Sequence, residues 1–263
     1  MFALKRILSI ASCAVIMCSL LLVGLAKAGN EAYPVTEYQL ATSPTADGKW
    51  TTTAEWNDAP IFTMSNNSMY EYKIDFATYT IAWLIESFGD NTNDAGDLCQ
   101  ICLDPDNSGG AVPGAGDFKI EIQGHTSLKI YQGTGSGWTQ VSGTNELTWG
   151  NTLTTSRYSS ANHWIVEVID PDKTTGSIIT PQPPNGMAVF TYDASSNKIS
   201  AWPPGSHVNV PNEWGVISGF DQAGIPEGFS VGAVVLLFSF AVIAGAFYLR
   251  KRPKTTNVIS AKL

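Results

Sequence analysis

The sequence predicts an all-β fold, an antiparallel β-sandwich of jelly-roll type, and three observations carry that expectation. Apolar residues alternate with charged ones in short runs. Clusters of Gly, Asn, Asp and Pro punctuate those runs, and aromatics abound, with 8 Trp, 9 Tyr and 11 Phe among 263 residues. No segment of ten or more residues with a helical apolar period is visible between the two termini. At 44% hydrophobic and 14% charged residues, the chain can bury a core.

The strands follow in order. In Met69–Phe76, Tyr70, Tyr72, Ile74 and Phe76 alternate with Glu71, Lys73 and Asp75, the pattern of a half-buried strand with its charges in solvent. Tyr79–Ile85 is apolar on both sides and reads as a strand covered on both faces. Leu98–Leu103, Asp117–Ile122, Trp164–Asp170 and Met187–Tyr192 complete the set, separated by turns at Gly89–Gly96, Asp104–Gly116, Gly133–Gly137, Pro181–Gly186 and Pro203–Gly205.

The two ends read as addresses. Residues 1–28 place Lys5 and Arg6 before the apolar run Ile7–Leu25 and end on Ala26-Lys27-Ala28, as a secretory signal peptide does, with an uncleaved anchor as the alternative. Residues 229–249 carry no charge over 21 positions, enough for a transmembrane helix, and Arg250, Lys251, Arg252 and Lys254 follow it. The expected order is therefore signal peptide 1–28, N-terminal extension 29–43, β-sandwich 44–216, linker 217–228, transmembrane helix 229–249 and basic cytoplasmic tail 250–263. That order describes a single-pass plasma-membrane protein of the cell surface, its sandwich extracellular. Between Gly29 and Gly224 there are 22 Asp/Glu against 7 Lys/Arg, and so acidic a body repels phosphate backbones, which excludes nucleic acid as a partner.

Two resemblances come from particular residues. Pro226-Glu227-Gly228-Phe229, the apolar span and the basic cluster resemble the tripartite PEF-type sorting signals of archaeal surface proteins, although an ordinary stop-transfer anchor is the preferred reading. Asp47-Gly48-Lys49-Trp50 with Glu55-Trp56 and Ala59 resembles the opening of family 9 carbohydrate-binding modules and their DOMON-like relatives. Asp104-Pro105-Asp106-Asn107 before Asp117-Phe118, and His163-Trp164-Ile165-Val166-Glu167-Val168, resemble them too. Trp202-Pro203-Pro204-Gly205 and Pro211-Asn212-Glu213-Trp214-Gly215 also suit the haem-subunit domains of ethylbenzene-dehydrogenase type. The resemblance implies a sandwich that binds sugars, haem or neither.

Glycans are the expected partner. Sugar binding needs flat aromatic faces beside amide or carboxylate oxygens. Trp138, after the glycine-rich Gly133–Gly137, is the first candidate, followed by Trp149 and Trp202; Trp50, Trp56, Trp83 and Trp164 are assigned to the core or to the fold signature. Calcium, which related modules carry, is the expected metal, with ligands from two acidic turns: Asp90 and Asp94 in one, Asp104 and Asp106 with Asp117 in the other. Solvated turns are the alternative. Cys99 and Cys102 lie too far apart on an extended strand for a disulfide, so both are expected to be free thiols. Haem, the alternative cofactor, would draw on Met64, Met69, Met187, His125, His163 and His207, of which His163 reads as a surface or loop histidine. No Gly-x-Ser-x-Gly, His-Glu-x-x-His or phosphate loop is present, and the chain is not expected to be an enzyme.

Overall fold

The computed structural model describes residues 29–36, 41–75, 80–142, 147–171 and 185–218. The expected signal peptide, transmembrane segment and basic tail lie outside them. Among the described residues, no helix is long and apolar enough to cross a membrane.

Among the described residues, thirteen strands form two sheets. The larger contains β1 (Asn30–Thr36), β5 (Leu98–Asp104), β6 (Phe118–Gln123), β7 (Ser127–Gly133), β8 (Trp138–Val141), β11 (Asn185–Asp193), β12 (Lys198–Trp202) and β13 (Gly215–Ser218). Its order is β1-β13-β11-β5-β6-β7-β8, with β12 also paired to β11. The smaller sheet contains β2 (Ile61–Met64), β3 (Ser68–Asp75), β4 (Thr80–Ser87), β9 (Thr148–Thr154) and β10 (His163–Asp170) in the order β2-β3-β4-β10-β9. The expected sandwich is observed, with one departure from antiparallel pairing: β1 runs parallel to β13. Residues 29–36, expected to belong to an extension, supply that edge strand.

The turns explain why the strands stop where they do. Asn66 and Asn67 between β2 and β3, and Gly124 and His125 between β6 and β7, all have positive φ, the left-handed conformation that reverses a hairpin. The inner faces make one core from Tyr70, Tyr72, Ile74, Ile81, Trp83, Ile85, Ile101, Ile120, Ile122, Trp164, Val166, Val189 and their neighbours.

Both outer faces are covered in part, which strand alternation alone does not reveal. Over the smaller sheet, Trp56 packs on Ala82, Leu84 and Ile165, with Trp50 and Ala59 beside them. Glu71 and Lys73, expected in solvent, are fully buried as a result. Lys73 Nζ donates to Asp58 Oδ1 and to Thr42 O, both at 2.8 Å, and to Glu55 O. A buried ammonium held by three oxygens is compensated; an unpaired one there would not be tolerated. Over the larger sheet, the segment 203–214 brings Trp214 and Val208 onto Cys102, Ala188, Phe190 and Ala201.

Candidate functional site

Beside the covered strip, the outer face of the larger sheet across β5 to β8 mixes aromatic and polar side chains, with Lys119 and Glu121 themselves buried. Ladder register aligns Cys102, Lys119, Tyr131 and Gln140 across β5 to β8, and Gly133 with Trp138 two residues on, so these side chains share one face. Lys119 Nζ donates to Glu121 Oε2 at 2.7 Å and lies 4.2 Å from the centre of the Tyr131 ring and 5.7 Å from that of Trp138. Glu121 also accepts from Gln100 Nε2 at 2.7 Å and from the Tyr131 hydroxyl at 3.2 Å. Burial works to raise the Glu121 pKa, but the Lys119 and Gln100 hydrogen bonds outweigh it and hold the carboxylate below its ordinary value. The group is therefore an anion at neutral pH, and its amide and ammonium donors are fixed in place.

Trp138 stands at the edge of this network, half-buried, its indole N–H donating to Asn209 Oδ1 at 2.9 Å. Its ring lies parallel to that of Trp214, with 6.3 Å between centres and 5° between planes. Trp214 is completely buried and donates to His207 O at 3.1 Å. One indole thus anchors the other, which is half-buried.

The three candidate tryptophans do not converge. Trp202 is only 5% exposed and lies in the core, edge-on to Tyr33, Phe62 and Tyr70, because its position in β12 points it inward. Trp149 is half-buried and packs against the same core from β9. Trp138 alone stands on the outer face. Trp56, Trp83 and Trp164 are core residues as expected. Sequence reasoning missed Lys119, Glu121, Tyr131 and Gln100, although the alternation of Asp117–Ile122 already put Lys119 and Glu121 on one side.

The acidic turns lie at opposite ends of β5. At one end, Asp104 and Asp106 lie near each other, with Asp104 Oδ1 and Oδ2 accepting from Ser108 N and Gly109 N at 3.0 and 2.7 Å. Asp117 sits beside them, and burial, with the charges of Asp104 and Asp106, pushes its carboxyl up to about 7. Its Oδ1 is buried and accepts no hydrogen bond, and neither side-chain polar atom of the buried Asn107 has a partner. Acidic oxygens of this type are the ligands that a hard cation such as calcium takes. At the other end, Asp90 meets Asp97 and His125, whereas Asp94 turns outward to accept from Thr92 Oγ1 at 2.6 Å.

Three of the donors named for haem have other partners in the described structure. Met187 Sδ accepts from Trp83 Nε1 in the core, and His207 pairs with Glu213. His163, expected at the surface, is fully buried and bonded to Glu86 Oε2 at 2.8 Å. Cys99 and Cys102 are free thiols on opposite faces of β5, as expected.

No family model and no curated protein matches this chain. Among solved structures it is similar to a family 9 carbohydrate-binding module from Caldicellulosiruptor kristjanssonii in complex with glucose. That match has 13% identity and a TM-score of 0.50, and it covers 74% of this chain and 99% of the module. A family 9 module from the same organism in complex with cellotriose matches at 16% identity and a TM-score of 0.48, covering 74% and 97%. At this identity, the first likeness shows a shared β-sandwich fold.

Proposed function

We propose that this protein is a non-catalytic carbohydrate binder whose sugar rests on the outer face of the larger sheet. One observation carries the reading: half-buried Trp138, backed by Trp214, borders the network of Lys119, Glu121, Gln100 and Tyr131. The aromatic face receives pyranose C–H groups, and the ordered amide, carboxylate and ammonium groups exchange hydrogen bonds with hydroxyls. The fold likeness to a module solved with glucose supports the same class of ligand. Asp104, Asp106 and Asp117 would hold a structural calcium ion. The loop that contains them donates Gly110 N to Asn212 Oδ1 and accepts from Gly135 N at Pro113 O, so the ion would brace the supports of both tryptophans.

The sequence at both termini supports display at the cell surface through the 229–249 segment. Protease accessibility on intact cells tests that placement: surface display requires that the sandwich be digested.

Titration calorimetry with glucose and cello-oligosaccharides tests the binding site. Saturable binding is expected, weakened about 10-fold or more in Trp138→Ala. Absence of binding across a glycan array, or unchanged affinity in that variant, refutes the reading.

A further inference from the structure

We propose that Asp90, Asp97 and His125 form a site for a transition-metal dication of the zinc class, distinct from the oxygen-only cluster at the far end of β5. One carboxylate oxygen from each aspartate and a ring nitrogen of His125 lie within 4.8 Å of one another. Asp90 and Asp97 are buried, and the His125 side chain is 5% exposed. The second Asp90 oxygen, Oδ2, is sealed from solvent and accepts no hydrogen bond, which is costly for a carboxylate with no ligand.

The fold holds these donors in place. Asp97 Oδ2 accepts from Asp94 N at 2.8 Å and lies 2.9 Å from His125 Nε2, while its Oδ1 accepts from Ala194 N at 2.9 Å. His125 sits in the β6–β7 turn at φ +60°, and its ring lies 4.3 Å from that of Trp164. Two backbone bonds and the His125 ring together therefore orient Asp97. Asp90 Oδ2 has no partner of its own, and an ion there would take the place of the direct contact between Asp97 and the His125 ring.

The donor set selects the metal. Calcium takes oxygen ligands and needs six to eight of them, whereas an imidazole with two carboxylates suits zinc, which leaves one position for water. A cavity of about 130 Å³ lined by Asp90, Ser87, Asp193, Ser196, Lys198 and Ser200 adjoins the site and supplies both that water and an entry path. The ion would join the two sheets. Asp90 follows β4 of the smaller sheet, whereas Asp97 precedes β5 and His125 follows β6 of the larger.

The test uses the full chain, stripped with chelator and dialysed against Zn²⁺ or Ca²⁺. Bound zinc is expected at one ion per chain in excess of His125→Ala, and Asp94→Asn retains it. Loss of the histidine ligand should weaken zinc binding by more than the 10–100-fold that outer-shell partners typically cost. The wild-type chain gives an independent readout: of its three histidines, Zn²⁺ titration should shift the ring resonances of His125 and leave buried His163 in place, and Ca²⁺ should shift neither. Equal zinc uptake in His125→Ala, no retained zinc in wild type, or an unshifted His125 ring overturns the proposal. None of these results depends on sugar binding.

Discussion

Glu167 accepts a hydrogen bond from Trp56 Nε1 at 2.7 Å, joining β10 to a tryptophan 111 residues earlier in the chain. The other carboxylate oxygen accepts from Asp47 N and Gly48 N at 3.0 and 2.7 Å. One buried carboxylate therefore ties the Asp47-Gly48 turn and Trp56 to the outer face of the smaller sheet. Gly48 is required there: its φ is +72°, and a Cβ would come within 2.2 Å of Asn151 Cα. Glu167→Ala leaves three donors without an acceptor, each costing about 1–3 kcal/mol when buried. A loss of roughly 3 kcal/mol or more is expected from the urea midpoint at constant m, with Glu167→Gln milder because it keeps an acceptor oxygen.

The pH dependence of stability should slope downward from mildly acidic to alkaline conditions. Burial pushes Glu71 up to about 8 from an ordinary 4.5; Glu86 adds to the rise, and the Tyr158 hydrogen bond, Arg157 and Lys73 oppose it. The folded state thus binds this proton more tightly than the unfolded chain. That contribution is complete below about pH 4.5 and is lost as pH rises through about 8. Glu167, raised to about 7, acts in the same direction. Asp58 and Glu121, held below their ordinary values, act in the opposite sense only under acid conditions. Denaturation midpoints should fall between about pH 5 and pH 9 in wild type and less steeply in Glu71→Gln, and equal slopes would contradict this account.

Thiol chemistry reports on the core. Burial pushes Cys99 up to about 12 and Cys102 higher still, which removes the thiolate that alkylating reagents require. In the native protein, labelling should therefore be limited by unfolding. Both thiols should react at once in denaturant, and rapid labelling of the folded chain would contradict their burial.

Much of the sandwich was legible in short-range patterns. Alternation in 69–75 and 117–122 marked strands that the structure describes, because a two-residue period is a local property. What the sequence hid was non-local. Glu71 and Lys73 alternate as solvent-facing residues do, and they are buried only because residues 41–59 fold back over them. The pairing of β1 with β13 joins the two ends of the domain and leaves no local trace. Trp202 follows Ala201 and Trp138 follows Gly137, flanks that differ but do not say which face either indole takes. Strand parity sends one into the core and the other onto the outer face, and parity depends on a register that only the partner strands define.

The acidic cluster at Asp104 should be coupled to the sugar-binding face. Gly133 N donates to Asp117 O at 2.9 Å, directly opposite Trp138 in the β7–β8 ladder, and Asn212 N donates to Gly110 O at 3.1 Å just before Trp214. Three neighbouring carboxylates repel one another unless an ion neutralises them, and that repulsion acts on the loop anchoring both indoles. Calcium bound to the native state alone adds about 2.7 kcal/mol of stability when the ion is at 100 times its Kd. Chelator treatment should therefore lower Tm and weaken sugar affinity together, with Ca²⁺ restoring both. In Asp117→Asn, which relieves repulsion but removes a charged ligand, Tm should respond much less to either. A wild-type chain indifferent to chelator in both measurements would show that the cluster is a solvated acidic turn.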